Sequence, residues 1–235
     1  MPSNQHPLLN KNLCLLIICQ GLFLTNNVTF IAINGLVGFS LAPLSWMATL
    51  PVMGYVVGAA FSTSLVAKSQ NHFGRKVSFQ LGLLVAAFSA LLCAYAAFSK
   101  NFWLLVIGTF IAGYYSANGQ LYRFAAAELT EVSQRDKAVS WVLAGGILGA
   151  VIGPNLASWT RNVFETAFLG AYLTLSIAAV MGMLVMQFIQ FPEEFKTQHA
   201  LSDGRPLNVI LRQPVFLVAV IGAALGYGVM NLLDR

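Results

Sequence analysis

Apolar segments of about 20 residues recur along this chain, and that is the length a helix needs to cross the hydrocarbon core of a bilayer. Seven such segments can be read, at residues 13–38, 44–67, 77–99, 102–127, 138–159, 167–191 and 215–233. Only 9% of the residues are charged and 57% are hydrophobic, whereas a soluble domain carries roughly a quarter charged residues. Lipid, rather than water, is the main solvent. The expected fold class is an all-α membrane protein: a six-helix transmembrane bundle followed by a seventh transmembrane helix.

The polar residues exclude several function classes. The net charge of +5 is scattered, with no basic run dense enough for nucleic acid. Cys14, Cys19 and Cys93 lie within apolar segments, and His6, His72 and His199 fall in polar connections. No His/Cys cluster has ligand spacing, so neither a metal site nor a disulfide framework is expected. No nucleophile–base pair or phosphate loop is present, so no enzyme and no cofactor is expected. Lys11 followed by the apolar run 13–24 has the outline of a signal peptide, but no small-residue cleavage site follows. An uncleaved first membrane helix is expected.

Orientation follows from Lys and Arg, which concentrate in cytoplasmic loops. Placing the amino terminus in the cytoplasm leaves only Lys100, Arg161 and Arg235 outside. Residues 192–214 hold Glu193, Glu194, Lys196, Asp203, Arg205 and Arg212, with proline at both ends. That composition reads as a cytoplasmic linker. The expected domains are a six-helix bundle at 1–191, the linker at 192–214, and the first helix of a second bundle at 215–235.

Within the bundle, residues 102–159 are the most informative. Thr109, Gly113, Ser116, Gln120 and Arg123 follow one another in steps of four and three, which places them on one stripe of a helix. A charged hinge follows, with Glu128, Glu131, Arg135, Asp136 and Lys137. The next apolar segment carries Gly145, Gly149 and Gly153, a flat groove that lets another helix backbone approach, and then Pro154. Gly54, Gly58 and Ser62 repeat that spacing three helices earlier, as two inverted three-helix repeats would.

The first segment has its own polar face. Gln20, Asn27 and Asn34 stand seven residues apart, with Thr25 and Asn26 beside them. Amides in hydrocarbon are expensive when unpaired. Two readings account for them: bonds to neighbouring helices, or the lining of a wet cavity. Arg123 has three readings: snorkelling to the interface, attraction of an anionic solute group, or pairing with Glu128. No Asp or Glu lies deep inside any of the first six segments.

The connection after the second segment reads Ala67-Lys68-Ser69-Gln70-Asn71-His72-Phe73-Gly74-Arg75-Lys76. It resembles the signature loop of the major facilitator superfamily, Gly-x-Leu-Ala-Asp-Arg-x-Gly-Arg-Lys, through Gly74, Arg75 and Lys76. Ala67, Asn71 and His72 depart from that pattern, and Asn71 removes the charge of the usual Asp latch. The resemblance extends to Gly113, Glu128, Arg135 and Gly149-x-x-x-Gly153-Pro154, whose order is similar to that of the superfamily's drug-efflux antiporters. Ala157 stands where that Gly-Pro motif usually closes with Gly. Thr109 occupies the place where many proton-coupled members carry an Arg.

The resemblance implies the amino-terminal half of a secondary transporter in the inner membrane, working by alternating access. It implies proton-coupled efflux of a small organic solute, with Gln20, Asn27, Gln120 and Arg123 contacting the solute. Asn71, Gly74, Arg75 and Lys76 would form the inner gate, and Gly149, Gly153 and Pro154 would seal a helix–helix interface. Expected partners are the lipid bilayer, the solute, protons, and a second six-helix half. The chain reads to Arg235 just after one further span, as a truncated, split or frameshifted product would. Two alternatives are a metabolite importer or facilitator, and a non-transporting half that serves as a partner subunit.

Overall fold

The computed structural model of the chain describes residues 10–191 except 162 and 165, together with 213–215, 217–218, 220–222 and 225. The chain divides into two units, Met1–Glu193 and Glu194–Arg235. In the first unit the helices are α1 (Lys11–Leu41), α2 (Leu50–Phe73), α3 (Arg75–Phe98), α4 (Phe102–Gly119), α5 (Tyr122–Glu128), α6 (Arg135–Thr160) and α7 (Leu169–Gln187). A 3₁₀ turn, Ser45–Thr49, leads into α2. Segments Lys11–Leu41, Ser45–Phe73, Arg75–Phe98, Val132–Thr160 and Leu169–Gln187 are long and apolar enough to cross a membrane. α4, with 18 residues, is not among them, although the fourth apolar segment of the sequence covers it. All the described positions of the seventh expected span are helical. The linker expected at 192–214 lies outside the described residues apart from Gln213 and Pro214.

Local sequence sets the helix ends. Asn10 caps α1 by accepting from the Leu13 N–H at 2.8 Å, and Asn101 caps α4 by accepting from the Leu104 N–H at 3.1 Å. Each side chain satisfies a donor that the first turn leaves free. Pro51 sits in the first turn of α2, where its missing N–H has no partner to lose.

Two expectations about these ends are corrected. α2 does not stop at 67 but runs to Phe73, so the connection to α3 is the single residue Gly74. The fourth segment is not one helix over 102–127. It breaks after Gly119, where Leu121 N bonds to Asn118 O (3.0 Å) and Phe124 N to Leu121 O (3.1 Å). These i→i−3 bonds tighten the turn. Asn118 and Gly119 are weak helix formers, and the Phe23 ring fills the space beside Gly119 that a Cβ would take.

Glycine contacts dictate which helices pair. A Cβ at Gly149 would fall inside contact distance of the Gly21 carbonyl, one at Gly145 would lie 3.0 Å from the Ile17 carbonyl, and one at Gly153 2.9 Å from the Thr25 carbonyl. α1 and α6 therefore touch backbone to backbone, and Thr25 Oγ1 donates to Gly149 O across the seam (3.0 Å). A Cβ at Gly58 would collide with Phe110 O, and one at Gly113 with the Gly58 backbone. α2 and α4 thus touch in the same way. Counting spans, the first pairs with the fifth and the fourth with the second, which is the exchange two inverted three-helix repeats produce.

Two apolar clusters fill the bundle. One gathers Phe23, Phe79, Tyr115, Tyr122, Val142 and Met186, and the other gathers Phe30, Ile33, Tyr55, Cys93, Leu105 and Tyr172. Coverage is uneven. In their most apolar stretches α2 and α6 are 28% and 22% buried, against 44%, 56% and 44% for α1, α3 and α7.

Candidate substrate site and gate

One end of the bundle collects most of the charged residues. Gly74 has φ 82°, a conformation that L side chains rarely adopt, and so reverses the chain in a single residue. The reversal sets Arg75 at the start of α3, where its guanidinium forms an ion pair with Glu128 at the end of α5. The same guanidinium donates to Gln70 Oε1 at 2.9 Å. Both charged side chains are largely withdrawn from solvent, at 18% and 15% exposure. Lys76 Nζ donates to the Gln187 carbonyl at the end of α7 (2.7 Å). Asn10 Nδ2 donates to Leu129 O (2.9 Å) and Asn12 Nδ2 to Gln190 O (3.1 Å), which ties the start of α1 to this end as well. Of the four expected gate residues, Gly74, Arg75 and Lys76 are engaged here. Asn71 is exposed, and its side chain makes no hydrogen bond among the described residues.

Glu128 therefore pairs with Arg75 and not with Arg123. Arg123 is exposed on α5 with its guanidinium 5.0 Å from the Phe124 ring centre. Gln120 is exposed in the turn between α4 and α5. The break after Gly119 separates these two from the rest of the stripe. Thr109, Gly113 and Ser116 are buried. Gly113 packs on the α2 backbone, and the Thr109 hydroxyl lies 3.2 Å from where a Cβ on Gly54 would sit.

The polar face of α1 meets three different helices. Gln20 is buried beside Gly146 of α6, and its Oε1 has no partner among the described residues. Asn26 Nδ2 donates to Leu175 O of α7 (3.0 Å). Asn27 is half-buried, and its Oδ1 accepts from the Tyr55 hydroxyl of α2. Asn34 is fully buried: it donates to Phe30 O (2.8 Å) and accepts from the Tyr172 hydroxyl of α7 (2.7 Å). Gln20, Asn27, Gln120 and Arg123 make no hydrogen bond with one another. A groove of about 420 Å³ opens on α6 beside Asp136, Lys137, Ser140, Trp141 and Ala144, and none of those four residues lines it. Gly149 and Gly153 are buried in the α1–α6 seam, whereas Pro154 is exposed. Among the described residues no group of His, Cys, Asp or Glu is arranged to hold a metal ion.

A family model described as the Major Facilitator Superfamily matches residues 13–234. The chain belongs to the major facilitator superfamily. This is a family of membrane transporters, not of enzymes. Among its relatives is the riboflavin transporter RfnT of Brucella anthropi, 34% identical over 223 residues, covering 94% of this chain and 56% of the relative. The class B tetracycline resistance protein of Escherichia coli is 27% identical over 126 residues, covering 54% of this chain and 29% of that protein. The partially occluded, inward-open xylose transporter XylE from E. coli has the same fold, with TM-score 0.63 and 18% identity over 81% of this chain and 52% of XylE. The chain thus spans about half the length of these proteins or less. The superfamily fold accounts for the six-span bundle and for its multi-pass membrane character.

Sequence reasoning missed two residues that organise the polar face, Tyr55 and Tyr172. Each sits in an apolar run in which a tyrosine looks like packing. The available signal was the hydroxyl itself, because a buried tyrosine O–H needs a partner and α1 is rich in amides. The Ser78 Oγ to Asn118 Oδ1 bond (3.1 Å) between α3 and α4 was missed as well.

Proposed function

We propose that this bundle is one half of a secondary transporter that carries a small heterocyclic metabolite of the flavin type across the inner membrane. The observation that carries the reading is the uneven coverage of the bundle. α2 and α6, equivalent under the repeat, are left largely uncovered and flank the polar face of α1. A second six-helix bundle packed on α2 and α6 would enclose that face, and rocking of one bundle against the other would open it to each side in turn. Identity of 34% over nearly the whole chain to a riboflavin transporter supports the solute class.

Orientation belongs to the same proposal. Lys11, Lys68, Arg75, Lys76, Arg123, Arg135 and Lys137 lie toward the end that holds the start of α1, and Lys100 and Arg161 toward the other. The amino terminus is therefore assigned to the cytoplasm. Asn71, Gly74, Arg75 and Lys76 form the inner gate, in which Arg75 is anchored by Glu128 while Asn71 is left free to meet the second bundle. Gln20 and Asn27 contact the solute from α1, with Gln120 and Arg123 at the mouth of the path. Gly149 and Gly153 hold the α1–α6 seam, and the exposed Pro154 lies off it.

A second reading, efflux of an amphipathic drug driven by protons, is supported by the similarity to tetracycline resistance proteins over roughly half of the chain. The described spans hold no Asp or Glu at depth, so a proton-driven cycle would use a titratable group outside them. The test is uptake of labelled riboflavin by vesicles reconstituted with the protein, with and without a proton gradient. Uptake above empty vesicles in both conditions supports a metabolite facilitator, and uptake only with the gradient supports coupling. No flux of riboflavin alongside gradient-dependent flux of tetracycline would replace the first reading by the second. No flux of either would leave a non-transporting half.

A further inference from the structure

We propose that Tyr55 is a positioning residue: it holds the Asn27 amide so that its N–H groups meet a carbonyl oxygen of the solute, which makes the site selective for carbonyl-bearing heterocycles. This rests on the reading of the bundle as a solute path and names the chemistry of that path on α1.

Tyr55 is buried on α2, its ring packed 5.2 Å from the Phe30 ring, and its hydroxyl donates to Asn27 Oδ1. Two helices thus meet at one buried O–H group that has a fixed acceptor. An amide has one oxygen end and one nitrogen end. With Oδ1 turned to a buried hydroxyl, the part of Asn27 that remains open is Nδ2. Asn27 is half-buried, its Nδ2 has no partner among the described residues, and Ile31, one turn on, is exposed. Asn26 and Asn34 differ in this respect, because each spends its Nδ2 on a backbone carbonyl. Asn27 alone of these three keeps its donors for something outside the bundle. A donor pair at the edge of an apolar wall discriminates strongly, since a solute that cannot accept leaves polar N–H groups desolvated and unpaired. The matching solute group is a carbonyl on a planar ring, as in a pyrimidinedione.

The experiment is equilibrium dialysis of the full chain in lipid nanodiscs against two pairs of probes. One is riboflavin with its 2- and 4-thio analogues, and the other is uridine with 2- and 4-thiouridine, sulfur being a poor acceptor. The wild type is expected to prefer the oxo compound about tenfold over at least one thio analogue. In Tyr55→Phe the amide is free to turn over, and that ratio falls toward one, whatever happens to affinity itself. Asn27→Asp keeps an oxygen for Tyr55 but has no N–H, and it also abolishes the preference. This second variant decides the matter should Tyr55→Phe fail to fold. A preference that persists in folded variants overturns the proposal, as does a wild type that binds oxo and thio compounds equally. Discrimination within the uridine set without any binding of riboflavin keeps the proposal and removes the flavin reading. A wild type that binds no member of either set removes both.

Discussion

Adding one methyl group at Gly149 should separate α1 from α6. A Cβ there would meet the Gly21 carbonyl within contact distance and would lie 2.9 Å from Thr25 Oγ1. The first obstacle is backbone, so no rotamer change relieves it and the helices must move apart. Overpacking of that kind costs about 3 kcal/mol at the upper end of its range. The Thr25 Oγ1 to Gly149 O bond goes with it, worth about 0.6 kcal/mol in a membrane. Alanine regains up to about 1 kcal/mol in helix propensity, which leaves a net loss of about 2 to 3 kcal/mol. Gly35→Ala is the control, because nothing lies within 4 Å of the Cβ it would add. Its expected effect is neutral or slightly stabilising. Gly58→Ala, at the equivalent α2–α4 seam, should match Gly149→Ala, because the Phe110 backbone blocks its Cβ. Reversible unfolding in mixed micelles, read by tryptophan fluorescence, measures all three. If Gly149→Ala proved as stable as Gly35→Ala, the backbone-contact argument for both seams would fail.

Other predictions concern the charged end and the seam. Removing Glu128 as Gln leaves the Arg75 guanidinium without its partner in a mostly enclosed site. The loss should be about 2 kcal/mol, between exposed and buried pairs, and a double-mutant cycle with Arg75→Gln should return most of it as coupling. Gly74→Ala forces an L side chain to φ 82° and should cost about 1 to 2 kcal/mol, whereas Gly35→Ala again serves as the neutral comparison in the same melts. Gly153→Leu should abolish solute flux in vesicles while the protein still inserts into the membrane; undiminished flux would remove the packing role of that glycine.

Much of the bundle was legible in the sequence, for a physical reason. Membrane spans announce themselves by length and hydropathy, so α1, α3, α6 and α7 lie close to where the apolar runs placed them. Glycine at spacing four marked a face of α6 that a helix backbone can approach, but not that α1 is the helix that does. Gly74 of the signature loop turns the chain at φ 82°, but α2 runs on to Phe73 through Lys68 and His72, since a helix that leaves the membrane needs no apolar residues. The break after Gly119 was hidden by the smooth stripe that continues through Gln120 and Arg123. It depends on Phe23 of another helix, which local periodicity cannot report. The same limit governed the polar face of α1. Residues seven apart drift about 20° around a straight helix, and α1 has different neighbours along its length. Gln20, Asn27 and Asn34 therefore reach α6, α2 and α7 in turn, although they share one side on a helical wheel. Which tyrosine each amide meets is a property of the packing between helices.

The central claim, that one side of α1 borders a water-filled path while the outer faces of the bundle meet lipid, can be tested by cysteine accessibility. Cysteine placed at Asn27 on a background with Cys14, which is exposed, changed to serine should react with a hydrophilic, membrane-impermeant maleimide. Cysteines at Leu84 and Phe88, exposed on α3, should resist that reagent and react only with a lipophilic one. Position 27 behaving like 84 and 88 would contradict the account.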